Sequence, residues 1–160
     1  MRLQTQQIFK NNWRLYSKIG LIPYPASRDG KNPIVKWKDD LPDPVSDDYA
    51  EWERKYPDAN IWVKLGNTFA VIDPDDPEAE KFVRNLNLPK SPVSFSGNKS
   101  AHRWFKTSSP LKPIKAQFND GAFLEIRTGE MGMSVAPSIH PQTHKPYRWV
   151  DGRSPWEIPF

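Results

Sequence analysis

The sequence predicts an α+β fold, with a mixed or antiparallel central sheet flanked by helices, folded as one domain over residues 1–160. Three observations carry that expectation. A hydrophobic content of 37% and an aromatic content of 12%, with seven Trp, supply a core that needs no disulfide or structural metal. Seventeen Pro against eight Gly interrupt the chain too often for long helices and favour short strands with stiff connections. Stretches of apolar alternation then recur between three segments of helical character. No internal repeat, low-complexity tract or linker divides the chain.

Residues 4–19 set Ile8, Leu15 and Ile19 beside Phe9, Trp13 and Tyr16, a spacing that predicts an amphipathic first helix stopped at Gly20. "LIPYPASRDGKNPIVKWKDDLPDP" is Pro-rich with alternating apolar positions, and reads as short extended segments and turns. "SDDYAEWERKYPDA" predicts a brief helix capped by Ser46 or Asp47 and ended at Pro57. "NIWVKLGN" and "TFAVID" read as two strands joined by a tight Gly-Asn connection into a hairpin. From Asp76, "DPEAEKFVRNLN" predicts a helix, because Pro suits the first helical position and acids suit the first turn. "SPVSFSG", "HRWFKT", "FLEIRT" and "MSVAPS" alternate as short strands, and "KPYRWVDGRSPWEIPF" forms an extended aromatic tail.

Composition excludes several chemistries. With no Cys there is no disulfide framework, zinc ribbon, thiol nucleophile or iron–sulfur site. The amino terminus is too polar for a signal peptide and no apolar run approaches a membrane span, so a soluble, cytoplasmic protein with no membrane partner is expected. A net charge of +4 is compatible with nucleic acid or nucleotide phosphate as partner.

Three groups of residues carry candidate chemistry. In "AVIDPDDPEAEKF" an extended backbone projects Asp73 and Asp75 to one face, a spacing suited to a hard divalent cation that takes carboxylate and phosphate oxygens. Asp76 precedes Pro77 and a helical run, and reads as a helix cap; Glu78 belongs to the first turn. A calcium loop starting at Asp73 would want Gly at position 78 and Glu at position 84, where Glu78 and Arg84 stand. In "SFSGNKSAHRWFK" a flexible turn is followed by Lys99, Ser100 and His102, all phosphate-compatible donors, with no Walker A motif. Taken singly, Lys99 reads as a solvated turn residue and His102 as a structural histidine. In "AFLEIRTG" Glu125 and Arg127 share a strand face, as a surface ion pair or as part of a site. His140 and His144 have a four-residue spacing, but Pro141 breaks the helix that zincin chemistry requires, so "PSIHPQTHKPY" reads as a loop or hairpin turn.

Taken in order, these segments resemble the primase–polymerase domain of the archaeo-eukaryotic primase superfamily, in the bifunctional form found in replication proteins of plasmids, phages and other mobile elements. "GLIPYPASRDGKNPIVKW" is similar to the family's Pro-rich opening, and "YPDANIWVKLGNTFAVIDPD" to its Asn-strand-Gly-strand-acid-x-acid block. "SFSGNKSAHRWFK" resembles its Ser-x-His turn, and "FLEIRTGEMGMSVAPSIHPQTHKPYRW" its third acid block ending in Tyr-x-Trp. The resemblance spans about residues 20–150. It implies an archaeo-eukaryotic primase-like catalytic core in which Asp73, Asp75 and Glu125 hold Mg2+ or Mn2+ ions. It further implies that Lys99, Ser100, His102 and Arg127 bind the nucleotide, and it places Ser138 and Lys31 at family-like positions without roles. Expected partners are a single-stranded DNA template, a primer, NTP or dNTP substrates and a replicative helicase module. The chain departs from the family pattern in using Glu at the third acid, in Pro74 between the paired acids, and in the bulky "WVKLGN" block. Without the helical accessory region and helicase of its relatives, it reads as a stand-alone protein or an excised catalytic domain.

The resulting expectation is a template-directed nucleotidyltransferase, a DNA primase, DNA polymerase or both, working by two metal ions. The contrasting expectation is a non-catalytic single-stranded nucleic-acid-binding module on the same fold, with Trp stacking on bases.

Overall fold

The computed structural model describes residues 6–35, 42–97, 101–118, 121 and 123–160. Among the described residues three helices and seven strands follow one another as α1 (Ile8–Lys18), β1 (Ile22–Ala26), α2 (Ser46–Lys55), β2 (Asn60–Pro74), α3 (Pro77–Arg84), β3 (Val93–Phe95), β4 (Ala101–Lys106), β5 (Ile114–Gln117), β6 (Phe123–Ser134) and β7 (Arg148–Trp149). The strands form one antiparallel sheet in the order β5-β6-β2-β4-β3-β7, with β1 paired to β2. The α+β class expected from the sequence is the one observed.

β1 carries Pro23 and Pro25 at alternate positions, which a strand tolerates when its proline nitrogens face away from the ladder; β1 pairs with β2 along its length, and its end at Ala26 also bridges Pro33. β2 runs unbroken for 15 residues, so the expected Gly-Asn hairpin is not there. A two-residue hairpin turn needs positive φ at both central residues. Gly66 has φ of +60° but Asn67 does not share it, and the chain runs on through a register irregularity instead of reversing. Gly66 is paired with Gly129, itself at φ +65°, so both strands distort at one level of the sheet. The same continuity carries "FLEIRT" through to Met133 and Ser134, the start of "MSVAPS", in one strand β6, while residues 135–138 of that expected strand lie in a turn.

The main core lies between β2 and the first two helices. Phe9 and Tyr16 of α1 pack with Tyr49 of α2 and with Ile61, Val63, Leu65, Phe69 and Val71 of β2, joined by Trp104 of β4 and Met133 of β6. Each such side chain contributes roughly 1.5–3 kcal/mol by leaving water. Trp104 is fully buried and its Nε1–H donates to Ser94 Oγ at 2.9 Å, so the indole carries no unsatisfied donor. α2 starts after Val45 rather than at a capping Ser46 or Asp47; Asp48 instead reaches back and accepts from the Val45 backbone N–H at 2.8 Å. On the opposite face of the sheet, Ala79 and Val83 of α3 pack on Leu124, with Ile72 beside them.

Asp76 is the N-cap of α3: its Oδ1 accepts from Ala79 N–H at 2.9 Å, with Pro77 at the first helical position. Its other oxygen accepts from Phe123 N–H at 2.7 Å, and the Asp75 N–H donates to Phe123 O at 2.9 Å. One carboxylate thus joins the start of α3 to the start of β6. Among the described residues no helix is long and apolar enough to cross a membrane.

Candidate active site

Because Ile72 packs under α3, strand alternation points Asp73 to the other face of β2, and Asp75, just past the strand, lines the same cleft. β2 ends at Pro74, where a residue without an N–H costs the ladder nothing, and the acids therefore sit at the strand's outgoing end. The antiparallel register places Glu125 of β6 directly opposite Asp73, and Arg127 opposite Val71. On the other side β4 pairs Arg103 with Ile72, which brings His102 beside Asp73. Neighbouring strands thus bring an acid, a second acid and an imidazole to one level of the sheet.

Asp73 is 7% exposed and both its oxygens are engaged. The His102 Nε2 lies 3.1 Å from Oδ1, and Arg127 Nε donates to Oδ2 at 3.1 Å. Arg127 Nη2 also reaches Glu125 Oε2 at 2.8 Å, while Lys115 Nζ approaches Glu125 Oε1 at 3.5 Å from β5. Burial pushes the Asp73 carboxyl up, but the hydrogen bonds and charges of His102 and Arg127 together outweigh it and hold the group below the ordinary aspartate value. Asp75 moves the opposite way: burial, then the negative charges of Asp73 and Glu125, raise it. The two neighbouring acids differ because Asp73 is held by the His102 imidazole and the Arg127 guanidinium while Asp75 faces like charge.

A cleft of about 330 Å³ opens over these groups, lined by Asp73, Asp75, His102 and Arg127 together with Lys31, Trp62 and Tyr147. That volume lies in the range of small-ligand sites. Glu125 does not line the cleft and reaches it through Arg127. The expectations for Lys99 and Ser100 fall outside the described residues, although Ser96, just before that turn, lines the same cleft.

Several contributors were missed or left without a role in the sequence. Trp62 packs over Gly132, where an added Cβ would stand 2.2 Å from the indole Cζ2, so glycine is what lets the ring form part of the cleft wall. Tyr147 is the Tyr of the Tyr-x-Trp segment; burial raises its hydroxyl's pKa, partly offset by a hydrogen bond with Ser134. Lys31 lines the cleft, whereas Ser138 is a structural staple, its fully buried Oγ accepting from Ile61 N–H at 2.7 Å and donating to Ile61 O. His140 is fully buried, and its Nδ1 accepts from the backbone N–H groups of Gln142 and Thr143 at 3.2 and 3.3 Å. With His144 N–H donating to His140 O, "HPQTH" is a turn organised around an imidazole.

The donor set suits a hard divalent cation in kind: Asp73, Asp75 and Glu125 lie at one end of the β2–β6 pair, where burial and then the negative charges of Asp73 and Glu125 raise the Asp75 carboxyl, and a bound cation would favour its ionised form. The arrangement is not a finished cage, since among the described residues no three His, Asp or Glu side chains converge closely enough to hold an ion. Comparison with protein families matches residues 11–160 to the family described as bifunctional DNA primase/polymerase, N-terminal. Neither a curated protein nor a solved structure matches the chain.

Proposed function

Since the chain belongs to the bifunctional DNA primase/polymerase N-terminal family, we propose that its cleft joins NTPs or dNTPs on a single-stranded DNA template, with Asp73, Asp75 and Glu125 as the metal-binding acids. The observation that carries this reading is the register of β2 against its neighbours. It sets Asp73 opposite Glu125 and beside His102, with Asp75 two residues on lining the same cleft.

Mg2+ or Mn2+ held by these carboxylates would supply Lewis-acid activation of the attacking 3′-hydroxyl and charge neutralisation of the leaving pyrophosphate. The chain's own residues do the rest. Asp73 and Asp75 present oxygens to the cleft from a strand end whose backbone is fixed by the Asp75–Phe123 and Asp76–Phe123 hydrogen bonds. His102, Arg127, Lys99 and Ser100 contact the nucleotide's phosphates as hydrogen-bond donors. Trp62 and Tyr147 provide flat walls against which a base or sugar is oriented.

The test is incubation of the protein with labelled NTPs or dNTPs on primed and unprimed single-stranded templates, with Mg2+ and Mn2+ compared. Metal-dependent incorporation that disappears in Asp73→Ala and Asp75→Ala, with DNA binding largely retained, supports the reading. Equal incorporation in the wild type and both variants would overturn it. A second reading, a non-catalytic single-strand-binding module, is favoured by the engagement of both Asp73 oxygens with His102 and Arg127. Salt-sensitive single-strand binding without incorporation, indifferent to the acid substitutions, would select it.

A further inference from the structure

We propose that Arg127 is an exchangeable internal counter-ion for the metal-binding acids, and that a divalent ion loads by displacing its guanidinium from Asp73 and Glu125. This rests on the reading of those two residues as metal ligands. Asp73 and Glu125 face each other across β2 and β6, both more than nine-tenths buried, and like charges directly opposite on a sheet repel. One guanidinium answers both: Nε lies 3.1 Å from Asp73 Oδ2 and Nη2 2.8 Å from Glu125 Oε2, while Nη1 donates to Gly132 O at 3.4 Å. A planar fork is suited to spanning two carboxylates where an ammonium would serve one.

The attachment is made from the open side. The Arg127 side chain is 30% exposed and lines the cleft, so it can swing away without disturbing the core beneath Val71. It holds the two carboxylates at a fixed spacing, and the oxygens it occupies are those a cation would need. That accounts for a ligand set that is chemically suitable yet not assembled as a cage. Arg127 is therefore a positioning residue in the metal-free protein, and metal affinity is a competition between a monovalent fork and a divalent ion at the same oxygens.

The measurement is Mn2+ titration of the full chain without nucleotide, with free Mn2+ followed by electron paramagnetic resonance, in wild type, Arg127→Gln, Arg127→Lys and Asp73→Asn. Arg127→Gln should bind Mn2+ about tenfold more tightly than wild type, and Arg127→Lys should lie between them. Thermal melts should show metal-free Arg127→Gln less stable than wild type and more strongly raised by Mn2+, a response that a purely structural arginine would not give. Mn2+ affinity unchanged or weakened in both Arg127 variants, with binding lost in Asp73→Asn, overturns the counter-ion role alone. Mn2+ binding that is absent in wild type or undiminished in Asp73→Asn overturns the metal-ligand reading and this inference with it. Should Arg127→Gln not fold, the Arg127→Lys affinity decides between the same outcomes.

Discussion

Three aspartates within four positions have three different environments, and each should respond differently to removal. Asp73 is buried between His102 and Arg127, so Asp73→Asn should reduce nucleotide incorporation by at least about a hundredfold, read on a primed template with circular dichroism confirming the fold. Asp76 instead ties Ala79 to Phe123, and its asparagine variant should keep incorporation while lowering Tm by a few degrees: the amide can still cap α3 through its oxygen but turns a donor toward the Phe123 N–H. These backbone donors hold the Asp76 carboxyl below its ordinary value of 3.8. A lowered folded-state pKa gives stability that is complete above the unfolded value and is lost as pH falls through the folded one. The Tm gap between wild type and Asp76→Asn should therefore be steady near neutral pH and close below about pH 3.8, as followed by melts across an acid series. That Asp76 caps a helix was legible in the sequence, because Pro77 and the following helical run distinguish a cap from its neighbours. That Asp73 is held between His102 and Arg127 while Asp75 faces like charge was not, since their partners come from other strands.

At the level of elements, β2 and β6 are long strands distorted at one shared level, and their glycines differ in what they permit. Gly129 has φ of +65° with nothing within 4 Å of an added Cβ, so Gly129→Ala should cost about 1–2 kcal/mol through backbone strain alone. At Gly132 the added Cβ would also stand 2.3 Å from the Val63 carbonyl oxygen, and rigid backbone has no way to yield. Gly132→Ala should cost about 3 kcal/mol, measured by denaturant unfolding, and should weaken nucleotide binding because Trp62 must shift within the cleft wall. The local signals at Gly66 and Gly129 were read in the sequence as places where the chain turns back or a strand ends. Glycine at positive φ serves a bulge as well as a turn, and only the pairing of both halves of β2 with β6 distinguishes them. β5 went unnoticed for a related reason: its Ile114 and Lys115 are exposed, so its pairing with β6 leaves no apolar alternation to read.

At the scale of the molecule, the sheet has two working faces. α1 and α2 cover the main core on one side, α3 covers Ile72 and Leu124 on the other, and the acids emerge at a strand end on the face away from α3. Trp104 lies at the centre of the first layer, and Trp104→Ala should cost about 3–5 kcal/mol in equilibrium unfolding, with the Ser94 hydroxyl losing its donor as well. The overall class followed from composition and periodicity, whereas strand order did not, because antiparallel pairing between distant segments is fixed by side chains that meet only after folding. One contact bears on how this architecture comes apart. Asp76 fastens the beginning of α3 to the beginning of β6, next to the Asp75–Phe123 backbone bond. In native-state hydrogen exchange the amides of Asp75, Ala79 and Phe123 should open together with one shared free energy, so this end of the sheet frays as a single latch rather than strand by strand.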